Sequence, residues 1–262
     1  FRSAIDREGN HMLDLLVGKP DIKLVSLFSP EHGLYGDLDT HVSDLKDTAT
    51  GLMVYSLYRQ GAGAKLGYPS DEQLKGLDAV VVDLQDIGAR YYTYLAYMGK
   101  MMEACAKNGV SVIVLDRPNP IGGLYVAGPR PDFDKIGDIT NYFDMPIAHG
   151  MTMGEMARMF NAEKKINCKL TVVPVENWTR DMYLDQTGLR WVDPSPNIQD
   201  LDAAIVYTGI AMTEAIMSMG RGTTEPFHIF GSPIIDKPEE LIKYVTDAGV
   251  TSGVKLSVAD FT

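Results

Sequence analysis

The amino-acid sequence predicts an α/β protein built on a doubly wound, mostly parallel β-sheet. Two features of the 262 residues carry this prediction: short apolar runs recur along the chain, and amphipathic helical patterns separate several of them. Strands that alternate with helices form βαβ units, and the strands of such units lie parallel. The apolar runs show no polar alternation, which is typical of strands covered by helices on both faces.

The predicted strands are short runs rich in Val, Ile and Leu. In chain order they are Ile22–Phe28, Leu52–Tyr55, Ala79–Leu84, Val110–Leu115, Leu170–Val175 and Ala203–Tyr207. Two clear helical patterns lie between them. Tyr94–Lys107 carries one apolar stripe and is followed by Asn108-Gly109, a typical helix end. Thr152–Ala162 begins with Thr and Glu at capping-box spacing.

The even alternation stops after Tyr207, and the rest of the chain predicts a second unit. Asp236–Asp247 has a helical pattern with Pro238 in its first turn, and Lys255–Ala259 follows as a predicted strand. We therefore expect residues 1–230 to form the main sheet domain. Residues 231–262 are expected to begin a smaller C-terminal domain.

Charge and cysteine content narrow the classes of function. The formal net charge is -11 at pH 7, so neither nucleic acid nor an anionic membrane surface is an expected partner. No run approaches the roughly eighteen consecutive apolar residues of a membrane span. Cys105 and Cys168 are predicted to be buried free thiols, because their spacing fits no metal site.

Three predicted strands end in charged turns. Ser29–Gly33, Gln85–Arg90 and Asp116–Gly123 each follow a strand directly, and parallel strands bring their carboxyl ends to one edge of the sheet. Two further segments, His149–Thr152 and Gly220–Phe227, are rich in polar and small residues that suit the same edge. Carboxylates, arginines and tyrosines gathered there are the groups that bind and cleave a sugar.

Each candidate also has a structural interpretation. Glu31 could be a surface loop residue, and His149 could bond a carbonyl in a tight turn. For Asp116 taken alone, an ion pair or turn contact at a strand end is the favoured interpretation. Only the expected meeting of these residues at one sheet edge favours a functional role.

A metal centre and a dinucleotide cofactor are both disfavoured. Five potential ligands crowd one loop, but no H-E-x-x-H motif or standard zinc spacing is present. These residues are Glu31, His32, Asp37, Asp39 and His41. No G-x-G-x-x-G follows any predicted strand, so no bound metal and no cofactor are expected.

Six motifs in a fixed order resemble one bacterial family. They are "FSPEHGLYGD", "VDLQDIGARYYTY", "VLDRPNPIGG", "HGMTMGEMA", "PSPNI" and "GRGTTEPF". Together they resemble the exo-acting β-N-acetylmuramidases of the NamZ type, formerly a bacterial domain of unknown function. The resemblance implies a Rossmann-like N-terminal domain, a smaller C-terminal domain and an active cleft between them. It also implies release of N-acetylmuramic acid from the non-reducing end of peptidoglycan fragments, in the periplasm or outside the cell.

By match to these motifs, Glu31 resembles the catalytic glutamate, and Asp86 or Asp116 is the expected second carboxylate. The expected substrate-binding residues are polar, charged or aromatic residues of the same motifs. They are His32, Arg90, Tyr94, Arg117, Asn119, His149, Asn197, Arg221 and Thr223. Among them, the three arginines are candidates to bind the lactyl carboxylate of a muramyl sugar.

The sequence also departs from the family pattern. Thr213–Ser218 replaces a stretch that in the family is close to Glu-Gly-Thr-Asn-Leu-Ser, and Ala148 stands where an arginine or another residue is expected. A first strand and the remainder of the C-terminal domain are expected to be missing. Two rival functions therefore stand beside the hydrolase: a cell-wall saccharide-binding protein without catalysis, and a metal-dependent hydrolase using the Glu31–His41 loop.

Overall fold

A computed structural model describes residues 1–38, 43–58, 65–249 and 253–260. These residues form an α/β structure of strands, α-helices and short 3-10 turns. The strands are β1 (Ser26–Ser29), β2 (Leu45–Lys46), β3 (Met53–Ser56), β4 (Ala79–Val82), β5 (Ser111–Leu115) and β6 (Leu170–Val173). The α-helices are α1 (Met12–Leu16), α2 (Asp71–Leu74), α3 (Tyr94–Asn108), α4 (Met153–Glu163), α5 (Leu201–Ile210) and α6 (Pro238–Asp247). The 3-10 turns are Phe133–Lys135, Leu184–Thr187 and Ala211–Ala215.

The strands lie in two three-stranded sheets. In the first, β1 pairs parallel with β3 from Ser26–Met53 to Ser29–Ser56, and β2 joins β3 antiparallel. In the second, the order is β4-β5-β6 and both pairings are parallel. Helices α3 and α4 form the crossovers of this second sheet. The predicted mostly parallel α/β fold is confirmed, but the described strands form two sheets and not the single continuous sheet that we expected.

One predicted strand is a helix. Ala203–Tyr207 lies inside α5, because Asp200 caps that helix by accepting a 2.7 Å hydrogen bond from the backbone N–H of Ala203. A short apolar run fits a buried helix as well as a buried strand, so hydrophobic periodicity could not separate the two. The polar cap residue was the local signal that favours the helix.

The predicted strand Lys255–Ala259 is also wrong. Residues 254–260 have neither strand nor helix structure. A strand needs the backbone groups of a neighbour for its hydrogen bonds. Among the described residues, none pairs with this segment, so the alternating sequence alone does not produce a strand.

The helix boundaries follow the predicted signals. Gly109 ends α3 in the left-handed region with φ 70°, where glycine has no steric penalty. Thr152 and Glu155 form both hydrogen bonds of the capping box at the start of α4. Pro238 begins α6, as its fixed φ favours.

The largest hydrophobic core packs α3 and α4 against the second sheet. Met98 and Met102 of α3 are buried, which confirms that they belong to the core. Cys105 and Cys168 are buried free thiols, as predicted, and burial raises the pKa of the Cys105 thiol to about 12. Within the described ranges, no helix is both long and apolar enough to cross a membrane.

Gly99 of α3 makes a close approach that we expect to be intolerant of any side chain. A Cβ atom at this position would lie 2.2 Å from Cε1 of the Tyr142 ring. That ring is 1% exposed and its hydroxyl donates a 2.7 Å hydrogen bond to Glu103, so it has little room to move. Overpacking of this kind typically costs about 1–3 kcal/mol, more than the roughly 1 kcal/mol that Ala gains over Gly in a helix.

Gly99→Ala is therefore expected to lower the free energy of unfolding by up to about 2 kcal/mol in a urea titration. Gly209→Ala is the matched control, because a Cβ atom at Gly209 in α5 would meet no atom within 4 Å. This second variant is expected to be neutral or slightly more stable. Equal stability of the two variants would show that Tyr142 moves aside.

Candidate active site

Glu31 lies in a tight turn immediately after β1. Pro30 precedes it, and the next two residues, His32 and Gly33, both adopt positive φ values of 71° and 79°. The His32 ring is fixed by a 2.8 Å hydrogen bond between its Nδ1 atom and the Leu38 carbonyl. The chain therefore reverses directly after Glu31, and the glutamate is held at the carboxyl end of a strand, as the sequence predicted.

The half-buried carboxylate of Glu31 faces the first turn of α3. The Thr93 hydroxyl donates a 2.9 Å hydrogen bond to Oε2 of Glu31. Burial and the negative charge of Glu31 raise the pKa of both Tyr94 and Tyr97. Both phenols therefore stay protonated at neutral pH, and they form an uncharged aromatic wall beside the carboxylate.

Tyr207 of α5 connects Tyr91, which lies just before α3, to the Gly220–Phe227 segment. Its ring packs edge-on against Tyr91 at 5.3 Å and Phe227 at 4.7 Å between centroids. Burial raises the pKa of Tyr207 to about 12, while the Arg221 guanidinium works against that rise and the Glu31 carboxylate adds to it. Tyr207 thus lies within electrostatic reach of both an arginine and the candidate catalytic glutamate.

The Arg221 guanidinium is bound to Glu214 and remains open to solvent. It donates hydrogen bonds to both carboxylate oxygens of Glu214, and its side chain is 41% exposed. It also lies 4.9 Å from the centroid of the Phe227 ring. Glu214 lies in Thr213–Ser218, the stretch that the sequence analysis expects to differ from the family pattern.

Asp86 and His149 form a buried pair. Oδ2 of Asp86 accepts a 2.6 Å bond from the Gly88 backbone N–H and lies 3.1 Å from Nε2 of His149. His149 Nδ1 accepts from the Met151 backbone N–H at 3.1 Å, so the proton of the neutral ring lies on Nε2. Oδ1 of Asp86 is buried and has no partner among the described residues. Asp86 therefore has one carboxylate oxygen without a hydrogen bond in the described part of the chain.

The Asp86 carboxylate lies near the wall behind Glu31. Burial raises the pKa of Tyr92, and the Asp86 charge contributes to that rise. The rings of Tyr92 and Tyr94 are 4.6 Å apart between centroids, and both hydroxyls donate to the Pro194 carbonyl. Two tyrosines in ring contact, tilted by 58° to each other, thus connect the surroundings of the two acidic residues.

Asp116 is the third candidate carboxylate, and its oxygens are fully engaged. Oδ1 accepts from the backbone N–H groups of Arg117 at 3.0 Å and Gly154 at 2.7 Å. Oδ2 accepts from the Thr152 hydroxyl at 2.8 Å. These contacts fasten the end of β5 to the start of α4. A catalytic role of Asp116 stays a prediction, while its contacts are those of a structural residue.

Arg90 and Arg117 donate to internal groups. Arg90 is 5% exposed and donates to Asn141 and to the carbonyls of Pro129 and Met145; burial lowers its pKa. Arg117 forms a two-pronged ion pair with Asp83 at 2.5 and 3.1 Å. These bonds hold both guanidinium groups, so neither has the solvent access that Arg221 has.

The remaining predicted residues hold turns and loops. Asn119 is buried and bonds Met151 and Ile121, and Thr223 bonds within its own turn to Gly220 and Glu225. Asn197 is buried in the loop after Pro194, where Ser195 and Ile198 bridge. For these residues, as for the fully buried Tyr94, direct contact with a substrate stays a prediction.

The loop behind the metal hypothesis is only partly described. Asp39 and His41 lie outside the described residues. Within residues 1–38, 43–58, 65–249 and 253–260, no group of three or more His, Cys, Asp or Glu residues could hold an ion. The hypothesis therefore rests on the sequence alone.

Sequence reasoning missed three residues beside Glu31: Thr93, Tyr97 and Tyr207. Thr93 and Tyr97 stand four residues apart in "YYTYLAY", a spacing that places both on one helix face, so a signal was present. Tyr207 was assigned to a strand, which concealed its position on α5. When these three residues are included, the site combines the fixed Glu31 carboxylate, an aromatic wall and the exposed Arg221. This set of groups suits acid catalysis on an anionic sugar.

Comparison with known proteins agrees with this chemistry. A family model described as exo-beta-N-acetylmuramidase NamZ, N-terminal, matches residues 2–202. A second model, the C-terminal part of the same family, matches residues 205–262. The two matches cover almost the whole sequence.

Individual relatives are longer than this chain. The chain is 40% identical over 255 residues to the peptidoglycan beta-N-acetylmuramidase NamZ of Bacillus subtilis (strain 168), covering 95% of this chain and 59% of that protein. Two crystal structures of DUF1343 family proteins from Bacteroides fragilis NCTC 9343 are similar to it. One has a TM-score of 0.84 at 39% identity, covering 95% of this chain and 62% of the other. The second has a TM-score of 0.74 at 35% identity, covering 90% of this chain and 61% of the other. This chain therefore belongs to the exo-β-N-acetylmuramidase NamZ family.

Proposed function

We propose that this protein is a glycoside hydrolase that releases terminal N-acetylmuramic acid from the non-reducing end of peptidoglycan-derived saccharides. One observation carries the proposal: Glu31 is fixed by Thr93 beside protonated tyrosines, with the exposed Arg221 guanidinium adjoining the same aromatic cluster. Membership of the NamZ family supports the same reaction, and the B. subtilis relative is named as a peptidoglycan beta-N-acetylmuramidase.

In the proposed reaction, Glu31 is the general acid. Its proton passes to the glycosidic oxygen while the bond between that oxygen and the anomeric carbon breaks. Water then supplies the new hydroxyl group at the anomeric carbon. Asp86 is the favoured second carboxylate because its Oδ1 has no partner among the described residues, whereas both oxygens of Asp116 are occupied.

Arg221 is the proposed hydrogen-bond donor to the lactyl carboxylate. A muramyl sugar differs from glucosamine by this acidic ether, and a protein with a net charge of -11 needs a local cation to bind it. Arg90 and Arg117 bind internal groups, whereas the Arg221 side chain is 41% exposed. An arginine fork binds a carboxylate through two parallel hydrogen bonds.

The proposed location and domain division follow from the proposed substrate and from the sequence pattern. Peptidoglycan fragments occur in the bacterial periplasm and outside the cell, so we place the protein there. The division into residues 1–230 and 231–262 is retained because Arg221 and Phe227 contact the cluster around Tyr207 of α5, whereas α6 begins at Pro238. This grouping assigns the residues around Glu31 to one domain.

A chromogenic N-acetylmuramide, assayed with and without a chelator, tests the proposed function. Turnover that resists the chelator is the expected result. Binding without turnover would instead support the saccharide-binding rival, and loss of turnover with chelator would support the metal-dependent rival. Absence of both binding and turnover would contradict all three functions.

Replacing Arg221 by Gln is expected to weaken use of muramides selectively. Because a charge-assisted bidentate pair contributes about 1.5–3 kcal/mol, kcat/KM for the muramide should fall roughly 10–150-fold. The matching glucosaminide, which lacks the carboxylate, should lose less than about threefold. Kinetics on the two substrates measure this difference.

Glu214→Gln removes the negative charge of the same ion pair and is expected to have the opposite effect on muramide binding. Glu214 binds the Arg221 guanidinium and so competes with an acidic substrate. Removing its charge should lower KM for the muramide a few-fold and leave the glucosaminide unchanged. Equal effects of Arg221→Gln on both substrates would remove Arg221 from this role.

A further inference from the structure

We propose that Thr93 is the residue that positions the Glu31 carboxyl group for proton transfer, an inference that rests on the proposed glycosidase function. The two residues are 62 positions apart, and the 2.9 Å hydrogen bond between them joins the turn after β1 to the start of α3. Among the described residues, Thr93 is the one side chain that donates a hydrogen bond to this carboxylate.

The local structure of α3 shows that this hydroxyl is not used as a helix cap. Thr93 precedes the helix, yet its side chain makes no capping bond, and its backbone is already helical at φ -68° and ψ -16°. Ser70 and Thr152, which precede α2 and α4, each make the full capping box. Thr and Ser favour this position because they normally cap the helix. In α3 the hydroxyl is instead directed at Glu31.

This hydrogen bond also determines which oxygen of Glu31 carries the proton. A protonated carboxyl group has one O–H donor and one carbonyl oxygen that only accepts. Because the Thr93 hydroxyl donates to Oε2, that oxygen is the acceptor and the proton lies on Oε1. The proton leaves Oε1 for the glycosidic oxygen as the bond to the anomeric carbon breaks, and Thr93 continues to hold Oε2 of the resulting carboxylate.

Two neighbouring tyrosines donate to other groups. Tyr94 donates a hydrogen bond to the Pro194 carbonyl at 2.5 Å, and Tyr91 donates to the carbonyls of Tyr207 and Thr208 at 2.8 Å. The buried Tyr97 hydroxyl has no hydrogen-bond partner among the described residues, so it does not hold the carboxylate. Because Thr93 is the side chain that donates to Glu31, its loss would free the carboxylate to rotate.

The test compares Thr93→Val, which keeps the shape and removes the donor, with Thr93→Ser, which keeps the donor. Two muramides are assayed, one with an alkyl leaving group that needs protonation and one with a dinitrophenyl leaving group that does not. For Thr93→Val we expect kcat on the alkyl muramide to fall roughly 10–100-fold with KM within about twofold. Loss on the dinitrophenyl muramide should stay below about threefold, and Thr93→Ser should recover most of the parent rate.

Ser70→Ala is the matched control, because it removes a real helix cap on α2, which does not contribute to the site. It should lower Tm and leave both rates unchanged, whereas Thr93→Val should leave Tm near the parent value and lower only the rate on the alkyl muramide. Equal losses on both muramides, a lower Tm with unchanged rates, or no effect of Thr93→Val would each overturn the positioning role. If the parent protein cleaves neither muramide, the proposed function itself fails, and the role of Thr93 fails with it.

Discussion

Replacing Glu31 by Gln is expected to lower kcat on muramyl saccharides by about 10²–10⁴-fold, the usual contribution of general acid–base catalysis. The amide keeps the shape of the side chain and an oxygen that can accept from the Thr93 hydroxyl, so the turn after β1 should persist. It has no acidic proton to transfer to the leaving oxygen. KM should therefore stay within a few-fold of the parent value.

Substrates with different leaving groups distinguish loss of the proton donor from distortion of the site as the cause of a lower rate. A dinitrophenyl muramide departs without protonation, so Glu31→Gln should cleave it with far less loss than a natural saccharide. Glu72→Gln is the matched control, since the same substitution on the exposed helix α2 should change neither substrate's rate. Turnover of natural saccharides by Glu31→Gln within a few-fold of the parent would show that Glu31 is only a loop residue.

The sequence was informative where short-range chemistry fixes the backbone. Five of the six apolar runs contain strands, and Thr152, Gly109 and Pro238 set helix boundaries by their own caps and backbone angles. The position of Glu31 at a turn was predicted because a strand followed by Pro and Gly turns sharply at the strand end. These signals lie within a few residues of the feature that they determine.

Long-range contacts were beyond such reasoning. The apolar run of α5 suits a strand or a helix, and its assignment to a strand, against the local signal of the Asp200 cap, concealed Tyr207. The bond between Thr93 and Glu31 joins residues 62 positions apart, so no local pattern indicates it. The same limit applied to the arginines, because strand-end position suggested that Arg90 and Arg117 face a ligand, whereas both donate to internal groups.

Arg117 illustrates how strongly a strand-end residue can serve the fold. Its Nε and Nη2 atoms bind both oxygens of Asp83 at 2.5 and 3.1 Å, and Nη2 also donates to the Ile5 carbonyl at 3.2 Å. The side chains are only 15% and 7% exposed. Asp83 follows β4 and Arg117 follows β5, so the pair fastens the ends of two neighbouring strands.

Arg117→Ala is expected to lower the free energy of unfolding by about 3–5 kcal/mol, because it leaves the buried Asp83 carboxylate without its counter-charge. Urea unfolding measures this loss. Arg130→Ala is the matched control: Arg130 also pairs with an aspartate, Asp144, but their side chains are 63% and 46% exposed. An exposed pair contributes about 0–1 kcal/mol, so this variant should retain nearly the parent stability.

The double variant Asp83→Asn with Arg117→Met tests why Arg117→Ala loses stability. It distinguishes loss of the ion-pair partner of Asp83 from loss of side-chain packing. It removes both charges while filling much of the same volume, and uncharged replacements of a buried pair are often close to neutral in stability. We therefore expect it to recover most of the stability lost in Arg117→Ala. If Arg117→Ala instead unfolds like the parent and raises KM for muramides but not for glucosaminides, Arg117 is the residue that binds the lactyl carboxylate, and Arg221 is not.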